Sequence, residues 1–112
     1  MRYYLVYIRI KAVSTLVKSP FPKSTYKRNA TIYRIMANPK RLEILNLLKN
    51  HELTVSELVE IIGSRKANIS QHLSILRRQK LVKVRRSGKN SFYSIVNPRI
   101  VEPCKILNDL WE

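Results

Sequence analysis

Acidic side chains are scarce in this 112-residue sequence, which has seven Asp and Glu against 22 Lys and Arg and a net charge of +15. None of the seven lies in residues 1–35, a stretch that holds eight basic residues. A charge of this size does not determine the fold, but it favours polyanionic partners, either nucleic acid or an anionic membrane. A basic protein that is merely soluble is the simpler alternative.

Cysteine and glycine are also rare. The one cysteine, Cys104, excludes an internal disulfide framework and fits a reducing compartment. Only Gly63 and Gly88 are present, so no glycine-rich loop can cradle a phosphate. His51 and His72 are not spaced as a metal-binding pair, and a zinc site within one chain is therefore not expected. With no recognisable nucleophile–base pair either, the sequence predicts neither an enzyme nor a cofactor.

The sequence lacks an apolar run of the roughly 20 residues that a membrane span needs. The opening "MRYYLVYIRIKAVSTLVK" is interrupted by Arg9 and Lys11 and has no signal-peptide cleavage pattern. We therefore expect a cytoplasmic protein with no membrane partner. Because "YYLVYIRI" has a strand-like composition and Pro20 and Pro22 follow it, residues 1–26 are predicted to form a basic N-terminal arm. Strand pairing, exchange with a partner subunit and a loose conformation all stay open for this arm.

Residues 27–112 show clearer boundaries between elements and are predicted to form one domain. The run "TYKRNATIYRIM" places apolar residues at helical spacing and predicts a first helix. Asn38 is a suitable cap and Pro39 a suitable first residue for a second helix, which has a broad apolar face. Thr54 and Glu57 have the spacing of a capping box, and Gly63 is expected to end this short third helix.

The run "SRKANISQHLSILRRQK" predicts a fourth helix with two different sides. Ile69, Leu73 and Leu76 form one stripe that must be buried, while the other side is polar and basic. Two short helices around a glycine-containing turn are typical of a helix-turn-helix. The alternating "LVKVRRSGKNSFYSIV" then predicts a hairpin with a basic tip, and Pro103 should kink or delay a closing helix. The order of elements predicts a mainly α winged helix-turn-helix with a small β-hairpin wing.

Four runs carry a resemblance to a known family: "ANPKRLEILNLL", "TVSELVEIIG", "NISQHLSILRRQKLVKVRRSGKNSFYSI" and "NPRIVEPCKIL". They resemble the ArsR/SmtB-type (arsenical-repressor) transcription regulators. The resemblance implies a homodimer, joined through its first and last helices, that represses by binding inverted-repeat operators in double-stranded DNA. It maps the recognition helix to about Arg65 to Arg78, with these residues facing the major groove: Lys66, Ala67, Ser70, Gln71 and, at the edge, His72.

Side-chain chemistry agrees with this DNA-binding interpretation. Lys66 can donate to guanine, Gln71 can pair with adenine or a phosphate, and Ser70 can do either. Arg65, Arg77 and Arg78 suit phosphate contacts, which position a protein without reading sequence. The predicted wing contacts to the DNA backbone or minor groove are Arg85, Arg86, Lys89 and Asn90. A solvated polar face, or a sheet edge protected by charge, is the simpler alternative.

The sequence departs from the metal-sensing members of this family. Thr54 and Ser56 in "ELTVS" replace the two cysteines of their third-helix site, and the closing helix has Asp109 but no histidine. A metal effector is therefore not expected at either site. Cys104 is a small core residue or, if two-fold symmetry pairs it with its copy, a redox or effector site. General nucleic-acid binding without operator specificity and a protein-interaction role remain the alternative functions.

Overall fold

A computed structural model describes residues 2–111 of the chain, which divides into one compact unit up to residue 30 and another from residue 31 onward. Within the described residues the helices are α1 (Arg2–Leu16), α2 (Lys23–Met36), α3 (Pro39–Leu47), α4 (Val55–Ile62), α5 (Lys66–Arg78) and α6 (Glu102–Trp111). A two-stranded antiparallel hairpin, β1 (Val82–Ser87) and β2 (Asn90–Ile95), and a 3₁₀ turn, Pro98–Val101, lie between α5 and α6. The predicted class, mainly α with a hairpin wing, is confirmed.

Helix α1 corrects the strand-like interpretation of the first residues. β-branched and aromatic residues favour strands chiefly where a partner strand and a half-buried surface are available. The whole of α1 is exposed, and its backbone groups are satisfied within the helix instead. After α1 the chain bends through Pro20 and Pro22, where Phe21 packs edge-to-face on Tyr26 with ring centroids 6.0 Å apart.

The helix boundaries of the second unit are set by capping side chains and by a glycine. The Asn38 side chain accepts hydrogen bonds from the backbone N–H groups of Lys40 and Arg41, at 3.0 and 3.1 Å. Thr54 and Glu57 form the predicted capping box, with distances of 2.8 and 3.2 Å between side-chain oxygen and backbone nitrogen. Gly63 ends α4 in the left-handed conformation at φ +80°, which residues with a Cβ adopt reluctantly.

The core lies between α3, α4, α5 and the base of the hairpin. The predicted stripe of α5, Ile69, Leu73 and Leu76, is fully buried there. The remaining buried members of this cluster are Met36, Ile44, Leu45, Leu48, Leu58, Leu81, Val82, Ile95 and Val101. Because the apolar stripe of α5 is taken up by this core, its polar side is left facing outward.

The hairpin is anchored at its base and free at its tip. Val82 pairs with Ile95 at the base, and both side chains are buried. The backbone of Leu53, before α4, exchanges two hydrogen bonds of 3.0 and 2.8 Å with Tyr93. At the tip, Gly88 takes φ +61° at the first position of a two-residue turn, as a tight hairpin requires.

The closing helix starts late, as Pro103 predicts. A 3₁₀ turn comes first, capped by the Asn97 side chain, which accepts from the Arg99 backbone N–H at 3.0 Å. Helix α6 begins at Glu102, so Pro103 lies in its first turn, where a proline costs no helical hydrogen bond. Only the start of α6 contacts the core, through the partly buried Cys104.

Candidate nucleic-acid interface

The outward side of α5 brings together the residues predicted to read bases. Lys66, Ala67 and Gln71 are exposed, and Ser70 between them is partly buried. These positions lie within two helical turns on one side, so donors, an acceptor and a small apolar group share a single surface. Such a surface has the chemistry that base edges in a major groove require.

Cations surround both ends of this surface. Arg65 lies just before α5, whose first turn receives no hydrogen bond from a capping side chain. The Lys40 ammonium reaches the hydroxyl of Ser64 at the same end. Backbone N–H groups and these cations together favour an anion there. At the far end, Arg77 and Arg78 are exposed in the last turn of α5.

His72 lies at the inner edge of this surface, next to Gln71. Its ring is partly buried, with Nδ1 3.4 Å from the guanidinium of Arg41. Burial lowers the pKa of His72, and the positive charges of Arg41 and Lys40 lower it further. The neutral ring is therefore favoured.

Arg41 joins α5 to α2. Its Nε donates to the carbonyl oxygen of Ile35 at 2.6 Å, while its Nη1 lies against His72 on α5. The Ile35 carbonyl belongs to the last turn of α2, where helix carbonyls lack partners within the helix. Arg41 could not be identified from the sequence, because a contact over 31 residues leaves no local pattern.

On the wing, Arg85 differs from its predicted neighbours. Its guanidinium donates two hydrogen bonds to the carboxylate of Glu52, at 2.8 and 3.1 Å, and lies 4.9 Å from the ring centroid of Phe92. The hydrogen bond from Arg85 lowers the pKa of Glu52, and the same pair raises the pKa of Arg85. Arg85 is thus engaged within the protein.

The tip of the wing carries the other three predicted residues. Arg86, Lys89 and Asn90 are all exposed around the turn at Gly88. Two cations and an amide at a protruding hairpin provide donors that can reach a phosphate. Sequence reading placed Arg85 with this group and missed Glu52, which lies 33 residues away along the chain.

Two kinds of feature are absent from residues 2–111. No group of three or more His, Cys, Asp and Glu side chains is arranged to hold a metal ion there. Nor is any helix of that part long and apolar enough to cross a membrane. Cys104 is partly buried, with its Sγ 3.5 Å from the amide nitrogen of Asn46.

The helix-turn-helix of α4 and α5, followed by the β1–β2 wing, defines the class of winged helix-turn-helix proteins. Residues 38–84 match the family described as "Bacterial regulatory protein, arsR family". The chain is 35% identical over 86 residues to an HTH-type transcriptional regulator of Methanocaldococcus jannaschii, a match that covers 76% of this chain and 97% of that protein. The chain belongs to the ArsR family of transcriptional regulators, as its motifs predicted.

Other relatives carry more specific names. The transcriptional repressor PagR of Bacillus anthracis is 36% identical over 83 residues, which are 73% of this chain and 83% of PagR. The transcriptional activator HlyU of Vibrio cholerae is 34% identical over 80 residues, covering 71% of this chain and 74% of HlyU. A solved HlyU structure from that organism superposes with a TM-score of 0.71 at 30% identity, covering 80% of this chain and 98% of HlyU.

A homodimer is among the solved structures that resemble this chain. It is the winged helix-turn-helix DNA-binding domain of a possible ArsR-family regulator from Mycobacterium bovis, described as homodimeric. Its TM-score is 0.70 at 26% identity, and the match covers 82% of this chain and 88% of that domain. The likeness extends over most of both chains.

Proposed function

We propose that this ArsR-family regulator is a homodimeric repressor that binds an inverted-repeat operator in double-stranded DNA. Each α5 enters a major groove, and each wing tip contacts the flanking phosphates. The observation that carries the proposal is the division of α5 into a fully buried stripe and an outward side with Lys66 and Gln71. A helix held in this way presents its polar residues without needing to move.

The proposed contacts fall into two kinds. Lys66, Ala67, Ser70 and Gln71 read bases, while Arg65, Arg77, Arg86, Lys89 and Asn90 bind phosphates. Arg85 and His72 act indirectly in this arrangement. Arg85 fixes the wing through Glu52, and His72 orients α5 through Arg41.

The proposed dimer accounts for exposed apolar residues on α6. Leu110 and Trp111 are 72% and 86% exposed, and Ile106 and Leu107 on the same helix are exposed as well. Such a group of large apolar side chains is typical of a surface that a partner covers. The homodimeric domain from Mycobacterium bovis supports a second copy of the chain as that partner.

Repression requires fewer kinds of contact than activation does. A small dimer can block transcription by occupying its operator, whereas an activator must also make a productive contact with other proteins. PagR is named a repressor and HlyU an activator, so the family names alone support either outcome. We propose repression, in the cytoplasm where the DNA lies, with no catalytic role for the chain.

The test is selection of bound duplexes from a random pool, using the full chain at fixed salt. We expect enrichment of an inverted repeat that binds at about 10 nM or tighter, against micromolar binding of unrelated duplexes. Repeating the selection in oxidising and reducing buffer tests whether Cys104 affects binding. If all duplexes of equal length bind alike, the chain is a general nucleic-acid binder and the proposal is wrong.

Lys66→Ala tests the assignment of base contacts. We expect specific affinity to fall by about 1–3 kcal/mol and base preference to relax at one position of each half-site. Lys49→Ala is the matched control, because it removes one exposed cation that follows α3 and is outside the predicted DNA-contacting group. Equal losses in the two variants, measured by titration of selected and scrambled duplexes, would show that Lys66 contributes only charge.

A further inference from the structure

Helix α1 exposes an unusual amount of apolar surface. All of its side chains are exposed, including those of Tyr3, Leu5, Val6 and Ile10. A helix whose apolar residues lie on more than one side is stable in water only when something covers part of it. None of this surface is needed for the proposed contacts with DNA.

One stripe along α1 is apolar without interruption. Val6, Ile10, Val13 and Val17 follow one another at helical spacing, and the Val17 N–H donates to the Val13 carbonyl at 2.8 Å, so the helical pattern continues to Val17. The hydroxyl of Ser14, beside the stripe, donates to the Lys11 carbonyl at 3.0 Å, so its proton is satisfied within the helix.

Cations lie along one edge of the stripe. With about 3.6 residues per turn, Arg2 and Arg9 fall at this edge beside Val13, whereas Lys11 lies roughly 130° around the helix from the stripe. Lys11 also lies 5.6 Å from the ring centroid of Tyr7, an amphipathic side chain of the kind enriched at membrane interfaces. Long basic side chains beside an apolar stripe can extend their charges toward lipid headgroups.

The charge of this region decides between three kinds of partner. Residues 1–30 contain seven Lys and Arg and no acid, so two copies of α1 packed together would bring like charges close. Duplex DNA supplies negative charge but little apolar surface. An anionic lipid bilayer supplies both at one surface.

We propose that α1 binds an anionic membrane surface, with Val6, Ile10, Val13 and Val17 inserted between headgroups and Arg2 and Arg9 beside them at the phosphate level. A helix of 15 residues is about 22 Å long, shorter than the roughly 30 Å hydrocarbon core of a bilayer. Arg9 and Lys11, which exclude a span, are suited to a helix lying in the interface. This surface function goes beyond DNA binding and does not depend on it.

The test is flotation of the full chain with vesicles of phosphatidylcholine alone and of phosphatidylcholine mixed with phosphatidylglycerol. We expect binding to the mixed vesicles only, weakened roughly thirty-fold in Arg2→Gln/Arg9→Gln, since each cation near an anionic surface contributes a several-fold effect. Ile10→Asp should weaken binding at least tenfold by removing an inserted residue. Ile61→Asp is the matched control, because Ile61 on α4 is 56% exposed and Ile10 is 59% exposed.

Attraction through the DNA-binding surface must be separated from binding by α1. Lys66→Ala/Arg86→Ala should float with the mixed vesicles as the native chain does. Equal flotation of Ile10→Asp and the native chain would overturn the proposal, as would equal binding to both vesicle types. A third outcome would also overturn the proposal: the native chain binds no vesicles but self-associates, and Ile10→Asp abolishes that self-association. The stripe would then bind a second copy of the chain.

Discussion

His72 shows at the scale of one residue how neighbouring groups change the protonation of a side chain. From sequence it lies at the edge of the predicted DNA-contacting group, yet the structure turns it toward Arg41 at 3.4 Å. Burial, Arg41 and Lys40 all lower the pKa of His72, so the unfolded chain binds a proton at higher pH than the folded chain does. A lowered histidine pKa contributes stability above the unfolded value of about 6.5, and that stability is lost as the pH falls through the folded pKa.

His72→Asn should therefore reduce the acid sensitivity of the fold. The free energy of unfolding of the native chain should fall as the pH drops below about 6.5, and the variant should lose less over the same range. Urea titrations at several pH values and one protein concentration measure this difference. Gln71→Asn, which changes the neighbouring exposed residue of α5 and removes no titratable group, should keep the native dependence. Parallel curves for His72→Asn and the native chain would contradict the assignment.

Arg85 and Arg86 are adjacent in sequence but differ in their surroundings. Arg85 is held by Glu52 and Phe92, whereas Arg86 is exposed beside the wing tip. Arg86→Ala should lower the slope of log affinity against log salt by about one unit, because one phosphate contact is lost.

The same salt series on Arg85→Ala should change the slope much less. Glu52→Gln supplies the complementary test, since it frees Arg85 and should make the salt dependence steeper. Titration of one selected duplex over a range of salt concentrations measures all three slopes. Equal slopes for Arg85→Ala and Arg86→Ala would show that Arg85 leaves Glu52 to bind phosphate.

Among the elements, α4 is a short helix whose start depends on one side chain. Thr54→Ala removes the hydroxyl that accepts from the Glu57 N–H at 3.2 Å. We expect the free energy of unfolding to fall by about 1 kcal/mol, the usual effect of losing such a cap. Urea unfolding at fixed protein concentration measures the change. Ser56→Ala, at an exposed position of the same turn, should have a smaller effect, and equal losses would argue against the capping role.

The elements that could be predicted from sequence are those with local boundary signals. Asn38, Thr54 and Gly63 act on their own turn of backbone, so the starts of α3 and α4 and the end of α4 were predicted. The buried stripe of α5 followed from the spacing of its apolar residues. Helix α1 was not predicted, because strand propensity depends on partners that sequence alone does not reveal. The contacts of Arg41 and Arg85 join distant parts of the chain and were missed for the same reason.

At the scale of the whole molecule, the proposed dimerisation depends on the balance between net charge and exposed apolar surface. A chain of net charge +15 repels its own copies, so the proposed dimer needs an apolar interface strong enough to overcome that repulsion. The exposed side chains of α6 provide one. Higher salt should therefore strengthen dimerisation while it weakens binding to DNA.

Leu110→Asp should convert the proposed dimer to a monomer. Operator affinity should then fall at least tenfold, because each monomer binds a single half-site and the gain from binding two half-sites together is lost. Sedimentation equilibrium measures the assembly, and the emission of Trp111, the single tryptophan, reports whether α6 is covered. Val96→Asp, at a 49% exposed position after β2, is the control and should remain dimeric. A dimeric Leu110→Asp would place the interface elsewhere.

Arg41 has a geometric consequence for the operator. Its guanidinium holds the end of α2 by the Ile35 carbonyl and lies against His72 on α5. The family resemblance implies a dimer joined through the first helix, here α2, and the last, α6. In such a dimer this contact links the interface to α5 and so helps to set the separation of the two α5 helices. Inserting one base pair between half-sites turns one of them by roughly 35° about the duplex axis. We therefore expect a single permitted spacing, with operators one base pair longer or shorter bound only as unrelated DNA is.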